Sequence, residues 1–227
     1  MKLTNIPQVL AVAALSMCVV THTSASMITF STPTGANIDG ELVDAEVTLT
    51  TSADTVDIEL RNLLGDPTSV KQVITGIFFE LSTGETVGTV TSIAGEQRDI
   101  AGDGSYTDLG IGNSGWTATT SGSEILVDIL NFPGQPKSGV VGPPNGGTDN
   151  YDNANGSIAG NGSHNPFFAE TANISVNVPG VTMDSRVRAV TFQFNTTPGD
   201  NIRVPEPSAA SLLLASIVGL IGMSRRR

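Results

Sequence analysis

From Val47 to Phe194 the apolar residues of this chain recur at every second position, not at the three- and four-residue spacing of an amphipathic helix. Val47 and Leu49 alternate with Glu46, Thr48 and Thr50, and Val56, Ile58 and Leu60 alternate with Asp57, Glu59 and Arg61. Successive side chains of a strand point to opposite faces, so this pattern puts one face in a core and the other in water. Ile77, Phe79 and Leu81 continue it, then residues 86–93 after a turn at Gly84, residues 124–130, the set Ile174, Val176 and Val178, and the set Val190, Phe192 and Phe194. These runs are rich in Val, Ile, Thr and Phe and are bounded by Gly, Pro, Asn or Asp. The fold they predict is all-β, a single antiparallel β-sandwich of jelly-roll or immunoglobulin-like character.

Residues 26–203 have the length of one domain. Within them, residues 132–167 break the rhythm with Pro133, Gly134, Pro143, Pro144, Gly146 and Gly147 and hold no apolar run long enough for a core strand. They read as a long surface loop, a feature that in a compact domain is either functional or mobile. Phe167 and Phe168 at its exit are expected to anchor it to the sandwich.

The two ends of the chain read as targeting segments. Lys2, an apolar stretch over residues 9–20 and the small residues Thr23, Ser24 and Ala25 form a signal peptide over residues 1–25, with signal peptidase cutting between Ala25 and Ser26. At the other end Val204, Pro205, Glu206, Pro207 and Ser208 lead into an uncharged apolar segment, residues 209–223, closed by Arg225, Arg226 and Arg227. The prolines fix φ and donate no backbone hydrogen bond, which predicts an extended, accessible element. At about 1.5 Å per residue a helix over 209–223 spans roughly 22 Å, short of a hydrocarbon core of about 30 Å. Bilayer thinning and snorkelling arginines close that gap, and the arginines favour a cytoplasmic C-terminus with the body outside. The plainer alternative is a buried C-terminal core helix.

A Pro-Glu-Pro element, a short membrane segment and a basic terminus, in that order, resemble the PEP-CTERM sorting signal of bacterial exosortase substrates. The body adds a weaker likeness to some exosortase-dependent surface proteins. It is carried by Asn161 to Phe167, by the strand through Ile174, and by Phe192, Gln193, Phe194, Asn195 and Thr196, with Asn195 where those proteins have glycine. The resemblance implies a precursor tethered in the inner membrane by the 209–223 transmembrane helix, cut by an exosortase-type processing enzyme, and delivered to the cell surface or an extracellular polysaccharide matrix. It implies no activity.

Over the whole chain eleven basic residues face twenty-two acidic ones, a formal net charge of −11. Between Ser26 and Val204 the imbalance is steeper, seven against twenty-one. Such a surface is a poor partner for nucleic acid or anionic lipid, and solubility alone accounts for it. The only cysteine, Cys18, lies in the signal peptide, so the exported body is expected to rely on packing and hydrogen bonds without a disulfide.

Catalytic constellations are absent from the sequence. His164 is the only histidine outside the signal peptide, and no Gly-x-Ser-x-Gly elbow occurs. A pair of carboxylates for glycoside hydrolysis leaves no sequence signature, so a glycan-active enzyme stays open as a third reading. Oxygen-rich stretches at 99–104 and 149–153 suit Ca2+ as the one candidate cofactor, but neither fits a calcium-loop register, and Asp, Asn and Gly also form ordinary turns. Asn-x-Ser/Thr acceptors at Asn155, Asn161, Asn173 and Asn195 predict no specific glycan outside a host with the transferase. Trp116 and His164 are the candidate ligand-binding residues, Trp116 as a sugar-stacking platform, although a single tryptophan in a β domain is more often core. The expectation is a non-enzymatic exported surface or matrix protein, with a lectin-like glycan-binding module as the alternative.

Overall fold

The structure is a computed structural model that describes residues 25–113, 115–131 and 136–206. The expected signal peptide up to residue 24, Pro207, Ser208, the expected helix 209–223 and Arg225, Arg226 and Arg227 lie outside the described residues. Among the described residues no helix is long and apolar enough to cross a membrane.

The regular secondary structure of the described chain is almost entirely strand. In order come β1 (Ser26–Ser31), β2 (Asn37–Ile38), β3 (Glu41–Leu42), β4 (Ala45–Ser52), β5 (Thr55–Asn62), β6 (Ile74–Leu81), β7 (Thr89–Ile100) and β8 (Tyr106–Gly112). They continue with β9 (Thr117–Ser121), β10 (Glu124–Asp128), β11 (Val140–Val141), β12 (Phe167–Ala169), β13 (Thr171–Asn177), β14 (Val187–Phe194) and β15 (Asn201–Pro205). A single 3-10 turn, Val70–Gln72, is capped by Ser69 and Gln72, whose side chains satisfy each other's backbone ends.

Thirteen of these strands form one large mixed sheet, and β2 pairs with β3 separately. The expected alternation is realised in β4, where Ala45, Val47, Leu49 and Thr51 are buried, and in β5, where Val56, Ile58, Leu60 and Asn62 are. One part of the sheet runs β1-β4-β5-β13-β7, and another sets β6 between β14 and β10 with β15 and β9 outside them. Their apolar faces share one core: Leu49, Ile58 and Val176 from the first part cluster with Ile77, Val127 and Phe192 from the second.

Strand β7 joins the two parts. Its first half pairs with β13, and beyond Ala94 it pairs with β8 and β12 instead. Gly95 stands at the change of partner, and a Cβ there would lie 2.7 Å from the Phe168 ring and 2.9 Å from the Thr171 carbonyl. The strand turns the corner because nothing at position 95 holds the packed phenylalanine away. β7 therefore runs on to Ile100, seven residues past the run that hydrophobic alternation picks out.

Two expectations need correction. The sheet is not purely antiparallel, because β11 and β12 pair in parallel. A parallel pair requires a long crossover, which residues 142–166 supply. Nor is the segment after residue 135 a surface loop. Val140 is fully buried in the main core, and Val141, Tyr151 and Ile158 are fully buried in a second core with Val70, Val73, Ile100 and Phe167. Isolated apolar residues spaced far apart show no period, so their burial cannot be read from the sequence. Phe167 and Phe168 do anchor the segment, Phe167 in this second core and Phe168 in the main one.

The second core is organised around a buried cation. Arg98 binds Asp108 through Nε at 2.7 Å and through a second guanidinium nitrogen at 3.1 Å, donates to the Tyr151 hydroxyl at 3.2 Å, and lies 3.8 Å over the Tyr106 ring. Burial works against its charge, but the bonds to Asp108 and Tyr151 outweigh that and hold the guanidinium above its ordinary pKa. Tyr151 in turn donates to the Gly142 carbonyl at 2.9 Å. Asn165 closes the end of β7 by accepting from the Ile100 N–H and donating to the Ile100 carbonyl, each at 3.0 Å, as a neighbouring strand would.

Candidate functional site

The outward face of the β9-β10-β6-β14-β15 sheet ought to be polar and wet, because the inward positions Ile77, Phe79, Ile125, Val127 and Phe192 fill the core. Polar it is, but at one end it is covered. Asp128 and Gln193, both outward, are only 1% and 2% exposed. Each stands opposite Gly76, Asp128 from β10 and Gln193 from β14. Thr117 lies opposite Asp128 on β9 and Asn201 opposite Gln193 on β15, so five strands contribute one cross-strand row, and residues in such a row share a face.

Gly76 creates the space in that row. A Cβ at position 76 would sit 2.3 Å from Gln193 Oε1 and 2.8 Å from the Asp128 Cβ. The chain after β10 bends back over the row, and Asn131 Nδ2 donates to both Asp128 carboxylate oxygens, at 3.0 and 3.1 Å. Burial raises the Asp128 pKa above the usual carboxylate range, and the Asn131 contacts pull the other way. Two buried side-chain polar atoms among the described residues find no hydrogen-bond partner, Gln193 Oε1 and Thr117 Oγ1, and both belong to this row. Leaving a buried acceptor or donor unpaired costs about 1–3 kcal/mol.

Above the row opens a cleft of about 430 Å³. Phe78, Leu126 and Leu130 give it an apolar wall, and Ser121, Thr196 and Asn201 line it with polar groups. No basic residue and no acid other than Asp128 appears among its described lining residues.

The residues singled out from sequence lie elsewhere. Trp116, 5% exposed, belongs to the main core and donates through Nε1 to the Ser138 carbonyl at 3.0 Å. It neighbours Thr117 in sequence, but alternation turns it inward, so its ring offers no platform to a sugar. His164 is half-buried and pairs through Nδ1 with the Ser157 carbonyl at 2.8 Å, within the second lobe. The oxygen-rich stretches have their carboxylates engaged within the protein: Asp103 accepts from the Ser105 N–H and hydroxyl and Asp152 from Asn145 and Thr148 in local turns, and Asp149 accepts from the Tyr106 hydroxyl on β8. Among the described residues no three His, Cys, Asp or Glu side chains converge as a metal site would require.

At the chain ends, Ala25 is exposed and Ser26 opens β1 opposite Thr51. Val204 and Pro205 complete β15, and the Glu206 N–H still donates to the Arg188 carbonyl at 2.7 Å. The strand thus crosses the expected boundary at residue 204 and ends inside the Pro-Glu-Pro element. Among the described residues β15 pairs only with β14, and Pro205 is exposed on that edge, where its missing N–H costs nothing.

Sequence reading passed over Asp128, Asn131 and Gln193. The available signals were slight: an acid inside the apolar run 124–130 and a glutamine between Phe192 and Phe194. No family model matches the chain, and no match was found among curated proteins or solved structures.

Proposed function

We propose that this chain is an exported surface or extracellular-matrix protein without catalytic activity of its own, matured at both ends around one β-sandwich body. The observation that carries the reading is the exposed Pro205, which ends β15 on an edge where, among the described residues, no further strand pairs. Cuts after Ala25 and within or just beyond the Pro-Glu-Pro element leave every described strand whole. Signal peptidase would make the first cut and an exosortase-type enzyme the second. An exposed proline at the end of an edge strand suits a processing enzyme that must reach extended backbone.

The body in this reading is a sandwich whose two layers share strand β7, with the parallel β11-β12 pair as an insertion. Replacing residues 205–207 with three alanines in the native host tests the sorting step. Full-length precursor accumulating in the inner membrane is the expected result, and normal delivery of a shortened protein to the surface would overturn it.

A further inference from the structure

We propose that the cleft over Asp128, Gly76 and Gln193 is a binding site for a neutral, hydroxyl-rich ligand of saccharide type. This goes beyond the export reading and does not depend on it, since a surface protein needs no ligand.

The chemistry of the floor selects the ligand. Asp128 offers carboxylate oxygens already held by Asn131, and Gln193 Oε1 is a buried acceptor with its bonding capacity unused. Buried polar groups are nearly always paired, so an acceptor left unpaired beneath the cleft, seated over Gly76, marks where an incoming donor completes the set once the Gln193 side chain turns outward. Asn131 and Asn201 supply amide donors, and Ser121 a hydroxyl, around it. A sugar hydroxyl donates and accepts at once, which answers a mixed acceptor and donor lining better than a one-way ion does. Phe78 and Leu126 pair across β6 and β10, one row along from Gly76 and Asp128, and give the C–H face of a sugar ring an apolar surface.

The same lining argues against other occupants. An anion would meet the Asp128 carboxylate and no described cation. A divalent cation prefers six or more oxygen ligands with several carboxylates, and this floor has one carboxylate. The volume, about 430 Å³, lies within the range of small-molecule sites, roughly 300–1,000 Å³.

Gly76 has a role here that strand structure alone does not require. Glycine in a central strand weakens the sheet, and it persists where another group must approach closely. At position 76 that group is the Gln193 carboxamide, which any side chain would push into the cleft.

The test is ligand-observed NMR on the full chain in a detergent without a sugar headgroup, titrated with the methyl glycosides of glucose, galactose and mannose. Saturable binding of at least one is expected, weakened about tenfold or more in Asp128→Asn, where a charge-assisted bond is lost. Asn201→Ala, at an exposed rim position, is expected to keep the fold and weaken the same sugar several-fold. Absence of saturable binding at millimolar sugar overturns the proposal, as does equal affinity in the parent and both variants. Saturation by phenethylammonium in place of every sugar also overturns it, by showing that Asp128 reads a cation.

Discussion

Asp128 and Gln193 approach one another across Gly76, each standing opposite that glycine on its own side of β6. Two polar side chains on the outer face of a sheet are thereby buried, and the described residues of the cleft add neither a cation nor a second acid. Ordinary outward positions of the same molecule, such as Asp57 and Glu59 on β5, stay exposed.

Gly76→Ala is expected to lower stability by about 1–3 kcal/mol, because the added methyl must displace Gln193 and crowd Asp128 in a well-packed row. Urea unfolding of the two proteins measures it. The same methyl fills the floor of the cleft, so sugar affinity is expected to fall in parallel.

Asp128→Asn separates stability from binding. Burial raises the folded pKa of Asp128 above its ordinary 3.8, so the folded state keeps this proton at pH values where the unfolded chain has lost it. Stability from this group is therefore greatest below the unfolded pKa and declines as pH rises through the folded one. The asparagine variant is expected to lack that decline, matching the parent at low pH and equalling or exceeding it at pH 7. Unfolding midpoints compared across the acid range check the sign.

Tyr151 governs the alkaline limit. Burial pushes its phenol from 10 up to about 12, with Arg98 opposing the shift, so the folded protein retains a proton that the unfolded chain gives up. Between those values stability is expected to fall by about 2–3 kcal/mol as pH rises. Tyr151→Phe is expected to lose that slope while starting from a less stable protein, because the bonds to Arg98 and Gly142 are gone.

Trp116→Phe distinguishes core from platform. Loss of the Nε1 bond to Ser138 and of buried volume is expected to cost about 1–3 kcal/mol, with sugar affinity unchanged. Binding lost at unchanged stability would put Trp116 in the ligand site.

What was legible in the sequence follows from how each part is buried. β4, β5 and β13 face a core on one side only, so their alternation survives in the amino-acid order; β14 is buried on both faces, yet Val190, Phe192 and Phe194 still alternate with polar residues. β8 and β9 are largely exposed on both faces, and Tyr106 to Gly112 and Thr117 to Ser121 show no alternation to read. The second core draws Tyr151 and Ile158 from turns far along the chain, and only the folded chain brings them to Ile100 and Arg98 at the end of β7. The cleft was hidden for a related reason. Asp128 and Gln193 occupy outward positions where polar residues are unremarkable, and their burial depends on the return of residues 129–131 and the cross-strand gap at Gly76. Trp116 stood out by its type, yet its neighbour Thr117 is the one in the polar row.

The most direct measurement of the central claim is the intact mass of the protein recovered from the surface or medium of its native host. A chain beginning at Ser26 and ending at or near the Pro-Glu-Pro element, without residues 209–227, is the expected result. Recovery of the full 227-residue chain, still carrying both ends, would contradict it.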